Sequence, residues 1–193
     1  MVQFTRYFVV LSVATGGLSA CKCGVATIEA DIDTLVRQVT AFDAAIVEFP
    51  PTNGSVNDAL AIHAYATSII NTLNTAASDV EATGEFSEDD DTAILSAVEA
   101  SVSTVLGSLL EIIDKKPGFE TLPICGIPAL FLQDLQNLQN ASVGFRNTLI
   151  STVLATLVAN FTDPTNNIAA AFEPAITTYS SLIILSTAAQ SEA

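Results

Sequence analysis

The sequence predicts an all-α protein, an antiparallel five-helix bundle whose apolar interior is compatible with close packing or with a ligand cavity. Apolar residues recur at alternating intervals of three and four through five segments, and the alternation of a half-buried strand occurs nowhere. Half of the 193 residues are hydrophobic and only 14% are charged. Intervals of three and four place side chains on one stripe of a 3.6-residue helix. A chain this apolar, well under the roughly 25% charge of an average soluble domain, has ample surface to bury and is expected to fold. Its length suits one domain with a real core, assigned to residues 21–193.

Residues 1–20 are set apart. Arg6 precedes an uncharged apolar stretch from Tyr7 to Leu18, interrupted by Gly16-Gly17 and followed by Ser19-Ala20. A basic start, an apolar centre and small residues at a cleavage region make a secretory signal, so the mature protein is expected to be secreted. Leu18-Ser19-Ala20-Cys21 also resembles a bacterial lipoprotein box, a minor reading.

The first helix carries Ile28, Ile32, Leu35, Val39, Phe42 and Ile46 on one stripe, with Glu29, Asp31, Asp33 and Arg37 off it, and stops at Pro50-Pro51-Thr52-Asn53-Gly54. The second runs from about Val56 to Ala82 with Ile62, Ala66, Ile69, Leu73, Ala77 and Val80 on one face, and Gly84 as breaker. Ser87 opens the third: its hydroxyl caps the helix, Asp90 reaches back, and Glu88, Asp89 and Asp91 oppose the N-terminal dipole. That helix has two apolar rows, Ile94, Val98, Val102, Val105, Leu109 and Ile112 beside Leu95, Leu106, Leu110 and Ile113, so it must be covered on more than one side. Lys115 and Lys116 are expected to complement its terminal carbonyls before Pro117-Gly118 ends it.

Thr121 to Pro128 reads as a loop holding Cys125. A fourth helix follows through Leu135, Leu138, Phe145, Leu149 and Val153 to about Asn160. Asp163-Pro164 is the predicted start of the fifth, with Asp as cap and Pro at the first helical position. That helix carries Ile168, Phe172, Ile176, Tyr179 and Ile183, and Pro174 should kink it or delay its regular start. No segment reaches the 18 or so uncharged apolar residues of a spanning helix, so no transmembrane segment is expected. The tail after Leu182 is a poor glycolipid-anchor signal.

Charge and chemistry narrow the function. Asp and Glu outnumber Lys and Arg 21 to 6, and the basic residues never cluster beyond one pair, which argues against nucleic acid. An anionic membrane would repel the chain and Trp is absent, so any lipid contact must rest on apolar burial. His63 is the sole histidine and lacks the setting of a general base, and Asp89-Asp90-Asp91 diverge around a helix without the spaced ligands of a calcium loop. No catalysis, metal or cofactor is expected. Cys21, Cys23 and Cys125 leave one unpaired; in an oxidising compartment one of the first two, Cys23 in the preferred pairing, is expected to reach Cys125. Asn53, Asn140 and Asn160 head N-x-[ST] triplets that are candidate glycosylation sites, Asn53 the best placed.

With these residues in place, the chain resembles the fungal hydrophobic surface binding protein A family, which includes the lipid-binding domains of cell-wall galactomannoproteins. IEADIDTLVRQVTAF, AIHAYATSIINTL and GEFSEDDDTAILSAV through to KKPGFE carry the resemblance, with FLQDLQNLQ and the closing AITTY matching by pattern. Three cysteines and a Leu/Val-rich fourth helix depart from the usual pattern. The resemblance implies a small secreted helical bundle that encloses fatty acids or similar hydrophobic molecules between its helices. Alternatively, it coats hydrophobic surfaces and helps a secreted esterase reach them, or it is a structural wall glycoprotein.

Interior positions that mix bulk with many small residues supply candidate lipid contacts: Ile69, Leu73, Val98, Val102, Leu106, Leu138 and Phe145, with Tyr65, Ser68 or Tyr179 at a polar mouth, since no basic residue lies reliably inside. Burying about fourteen methylenes at ~0.8 kcal/mol each contributes on the order of 10 kcal/mol before ordering costs.

Overall fold

The computed structural model describes residues 21–191, with side chains over 24–181. The signal assigned to residues 1–20 lies outside the described residues. Five helices make up the fold: α1 (Cys21–Glu48), α2 (Val56–Thr83), α3 (Glu88–Glu120), α4 (Ile127–Thr152) and α5 (Val158–Ser191).

Local chemistry sets most of the boundaries. Ser55 caps α2 by accepting the Asp58 N–H at 3.1 Å. Ser87 and Asp90 form the reciprocal capping box that starts α3, satisfying donors that have no partner within the helix. Gly84 and Gly126 take positive φ where α2 ends and α4 begins, a region that costs a glycine little. The apolar stripes are inside: Ile28, Ile46, Ile62, Val80, Ile94, Ile112, Leu135 and Leu149 are each essentially sealed from solvent.

Two boundaries depart from expectation, and both are set by contacts distant in sequence. α3 continues past Pro117-Gly118 to Glu120. The extra turn brings Phe119 between Phe49 and Phe131, with ring centroids 4.2 and 4.3 Å away, and Gly118 lies flat against the chain leaving α1. A Cβ there would stand 2.8 Å from the Pro50 carbonyl oxygen. At the other boundary, α4 ends at Thr152 and α5 begins at Val158, before Asp163-Pro164, which sits inside α5. Nothing local breaks the helix there. The buried Asp91 carboxylate accepts the Leu154 N–H at 2.9 Å and holds Val153 extended.

The chain runs up and down, but the packing is a ring rather than a succession of antiparallel neighbours. α1 packs on α2 and α3, α2 on α4, α4 on α5, and α5 on α3, while α3 and α4 touch only weakly. Cross-helix hydrogen bonds fix the directions: Ser108 to Asp43, His63 to Asp134, and the Tyr179 hydroxyl to the Ile112 carbonyl. Thus α1 and α3, α2 and α4, and α3 and α5 lie parallel. We call the end where α1 and α3 finish and α2 and α4 begin the lower end.

Lys115 and Lys116 reach across the lower end to carbonyls of other segments, and Lys116 also pairs with Glu120 on its own helix at 3.6 Å. Lys115 donates to the Val47 and Phe49 carbonyls at 2.8 and 2.7 Å, completing the end of parallel α1, and Lys116 donates to the Thr178 carbonyl at 2.6 Å. The expected Cys23–Cys125 pairing does not suit this arrangement. Cys125 is free and exposed in the α3–α4 loop at the lower end. The side chain of Cys23 lies outside the described residues, but its backbone opens α1 at the upper end, ~39 Å away along a helix rising 1.5 Å per residue.

α3 holds a stretch with mean hydropathy 1.7, long and apolar enough to cross a membrane and broken only by Glu99. In this structure it is one wall of the ring.

A candidate ligand cavity

Where five helices form a ring, the centre must be filled by side chains or stay hollow. At the lower end Phe49, Phe119, Phe131 and Tyr179 fill it. Above them it is hollow. A cavity of about 120 Å³ is on the order of ten times the space a single water requires.

All five helices line it. α1 contributes Ile32, Leu35, Val36, Val39 and Phe42, α2 Ile69 and Leu73, and α3 Val98, Val105 and Leu109. α4 contributes Leu138 and Phe145, and α5 Ile168 and Phe172. No lining residue is acidic. The hydroxyls of Ser101, Ser108 and Thr165 turn to the Val98 carbonyl, to Asp43 and to the Phe161 carbonyl at 2.7, 2.8 and 2.6 Å, leaving hydrocarbon toward the space. Such a lining stays dry and favours an apolar guest.

Residues 25–151 match the hydrophobic surface binding protein A family. The chain belongs to that family. A search of curated proteins finds no match. Among solved structures, this hydrophobic surface binding protein A domain is similar to AfMp4p in complex with palmitic acid, at 27% identity and TM-score 0.74 over 80% of this chain and 99% of that one. It also shares its fold with ligand binding domain 1 of Penicillium marneffei MP1 protein, complexed with arachidonic acids (17% identity, TM-score 0.72, covering 81% and 98%). Ligand binding domain 2 of the same protein matches at 15% identity and TM-score 0.69, covering 82% and 95%.

Of the candidate contacts, the structure brings Ile69, Leu73, Val98, Leu138 and Phe145 together around the cavity. Val102 and Leu106 are half-buried on α3 outside its lining. Val102 belongs to the same apolar row as Val98 and Val105, and Leu106 to the second row, so membership of a row does not decide which side chains line the cavity. Tyr65 and Ser68 are exposed, a third of a turn away from the buried Ile62, Ala66 and Ile69. Tyr179 is buried in the lower end, bonded to the Ile112 carbonyl at 2.8 Å; burial, then the nearby Glu120, raises its phenol above the ordinary range. None of the three forms a mouth. Sequence reasoning named no residue of α1 among the candidate contacts, and it missed a cation. Arg146, half-buried on α4, lines the cavity. Its place one turn from Ser142 and on the same face as Leu138 and Phe145 was the available signal.

The other ionisable groups sit outside the lining. Asp134 is buried and raised by desolvation, opposed by the His63 ring, whose Nδ1 lies 2.8 Å away. This pair joins α2 to α4. Asp31 is raised by burial and by the adjacent Asp79 carboxyl, which bridges α1 to α2. Asp91 is raised by burial, against the lowering effect of the Leu154 N–H. The acidic run at 88–91 is therefore divided: Asp90 caps its helix, and Asp91 turns inward to end another.

Proposed function

We propose that this protein is a non-catalytic carrier that takes a fatty acid or similar single-chain amphiphile into the cavity between its five helices. The observation that carries the reading is the lining: five helices contribute mostly aliphatic and aromatic side chains and no carboxylate, and three of the lining hydroxyls, on Ser101, Ser108 and Thr165, are turned to partners within the protein. The palmitic acid of AfMp4p and the arachidonic acids of the MP1 domains, bound in proteins of this fold, support the ligand class. A chain of about fourteen buried methylenes gains on the order of 10 kcal/mol at ~0.8 kcal/mol each, enough to cover the cost of ordering it.

Native mass spectrometry of solvent-extracted protein titrated with palmitic acid tests this. Uptake at a fixed stoichiometry is expected, and loss of uptake in Val105→Phe, which places a ring in the cavity. A folded, delipidated protein that takes up no fatty acid sinks the proposal. Secretion through residues 1–20, a place in a cell wall, and glycans on exposed Asn53, Asn140 and Asn160 complete the reading, and mass spectrometry of the secreted chain checks each.

A second reading rests on α3. Its spanning-length apolar stretch and the 66% exposure of Leu110 suit a helix that leaves the ring to coat a hydrophobic surface or to present it to an esterase. Adsorption to polyester particles that persists in Val105→Phe would favour surface coating over cavity binding.

A further inference from the structure

We infer that Arg146 is the headgroup anchor of the cavity, so that the site selects single-chain amphiphiles ending in an anion, a carboxylate first, over neutral ones of equal length. This rests on the cavity-binding reading above and adds its polarity.

Arg146 stands where the cavity meets polar ground. Its Nη1 donates to Asn166 Oδ1 at 2.8 Å, and Nη2 and Nε share Asn147 Oδ1 at 3.0 and 3.3 Å. A guanidinium has five N–H donors, so three are engaged by neutral amides and two remain. No carboxylate forms an ion pair with it among the described residues. The asparagines fix the plane of the group without neutralising its charge. These hydrogen bonds are solvent-exposed, so the group stands at the rim of the cavity, where a planar fork held this way offers a carboxylate paired hydrogen bonds.

The other described cations are elsewhere. Lys115 and Lys116 cap carbonyls at the lower end, and Arg37 bonds Thr34 on the outer surface of α1. In a chain of net charge −15, the general field opposes an anionic ligand; one local cation at the cavity is what makes an anion acceptable there. Ser142, one turn below Arg146 on the same face, is the lining hydroxyl with no hydrogen bond among the described residues, against three that are committed. It gives a second donor on the same wall.

The cavity also has a direction. Arg146 and Thr165 lie toward its upper end, and Phe42, Leu109 and Phe172 toward its lower end. Arg146 is about 12 Å above Leu138 on α4, at 1.5 Å per residue. A bound amphiphile therefore sits with its charged end at the α4–α5 wall and its chain descending toward the aromatic floor.

The test compares hexadecanoic acid with hexadecan-1-ol, identical in chain length and different in charge, by titration calorimetry on the delipidated full chain at neutral pH. The wild-type protein is expected to prefer the acid by about tenfold or more, the range of a hydrogen bond to a charged group. Arg146→Met should bring the acid-to-alcohol ratio to about unity, and Arg146→Lys, a point charge without the fork, should keep part of it. A ratio is insensitive to partial loss of folded protein, and Arg146→Lys decides the matter if Arg146→Met does not fold. A wild-type preference that survives in Arg146→Met overturns the assignment, because the headgroup is then held elsewhere. Equal affinity of wild type for acid and alcohol overturns it too, while leaving the cavity reading intact. Binding of neither sinks both.

Discussion

The lower end and the middle of the bundle are built from the same five helices and are packed in opposite ways. Below, Phe49, Phe119, Phe131 and Tyr179 meet ring to ring, Lys115 and Lys116 tie helix ends together, and Gly118 lets the α1–α2 connection lie against α3. Above, branched aliphatic residues from all five helices face one another across a space they do not fill. Native interiors are close-packed, so unfilled apolar volume is a loss of contact that the rest of the molecule must offset. The contrast assigns stability to the filled end and, under the proposed function, binding to the hollow one.

Substitutions at the two levels should therefore differ in size and in what they remove, stability below and ligand uptake above. The largest effect is expected at Phe119→Ala, which empties the middle of the aromatic column; a loss of about 3–5 kcal/mol, read by chemical denaturation, is expected. A loss under 1 kcal/mol would mean that the column is not what holds the lower end. Gly118→Ala comes next, at about 1–3 kcal/mol, because the new methyl meets backbone oxygen at 2.8 Å and cannot push it aside cheaply. At the hollow level the effect on stability is small. Val105→Phe adds bulk where space exists, so the ligand-free protein should change by less than about 1 kcal/mol in either direction while losing fatty-acid uptake. Strong destabilisation without ligand would show that the cavity is already filled by relaxation of its walls.

The smallest effect is a matter of pH. Asp91 is buried with one oxygen on the Leu154 N–H and the other without a hydrogen-bond partner, and burial raises it above the ordinary 3.8. A carboxyl raised on folding binds its proton more tightly in the native state. Its contribution is fully present below pH 3.8 and is lost as pH rises through the raised native value. Asp91→Asn keeps the acceptor and removes the charge. Its stability should fall less steeply than that of wild type between acid and neutral pH, with a difference within about 1 kcal/mol at neutrality; identical slopes would place the titrating group elsewhere, at Asp31 or Asp134.

Several parts of this design could be read before any coordinates. Ser87 and Asp90 start α3 through bonds made within four residues, and the stripes from Ile28 to Ile46 and from Ile62 to Val80 had no alternative to burial. These are local rules, and the chain obeys them locally. The α4–α5 break was not legible, since no glycine or proline stands between Leu149 and Asp163 and the hydrogen bond that makes it comes from Asp91, 63 residues away. Periodicity also could not separate Val98, which faces the cavity, from Val102, which does not. Both lie on the apolar half of one helix, and their difference is a rotation set by α1 and α5.

What the sequence determined by itself was that five amphipathic helices would form and hide one face each, because propensity, capping and hydrophobic period act within a few residues. What only the tertiary structure decided was that the hidden faces enclose a space. Parallel pairing of α1 with α3, α2 with α4 and α3 with α5 closes a ring in place of a solid stack. That closure turns a buried α1 stripe into a cavity wall and brings Arg146, half-buried on α4, to the one place in the described interior where a positive charge meets an apolar cavity.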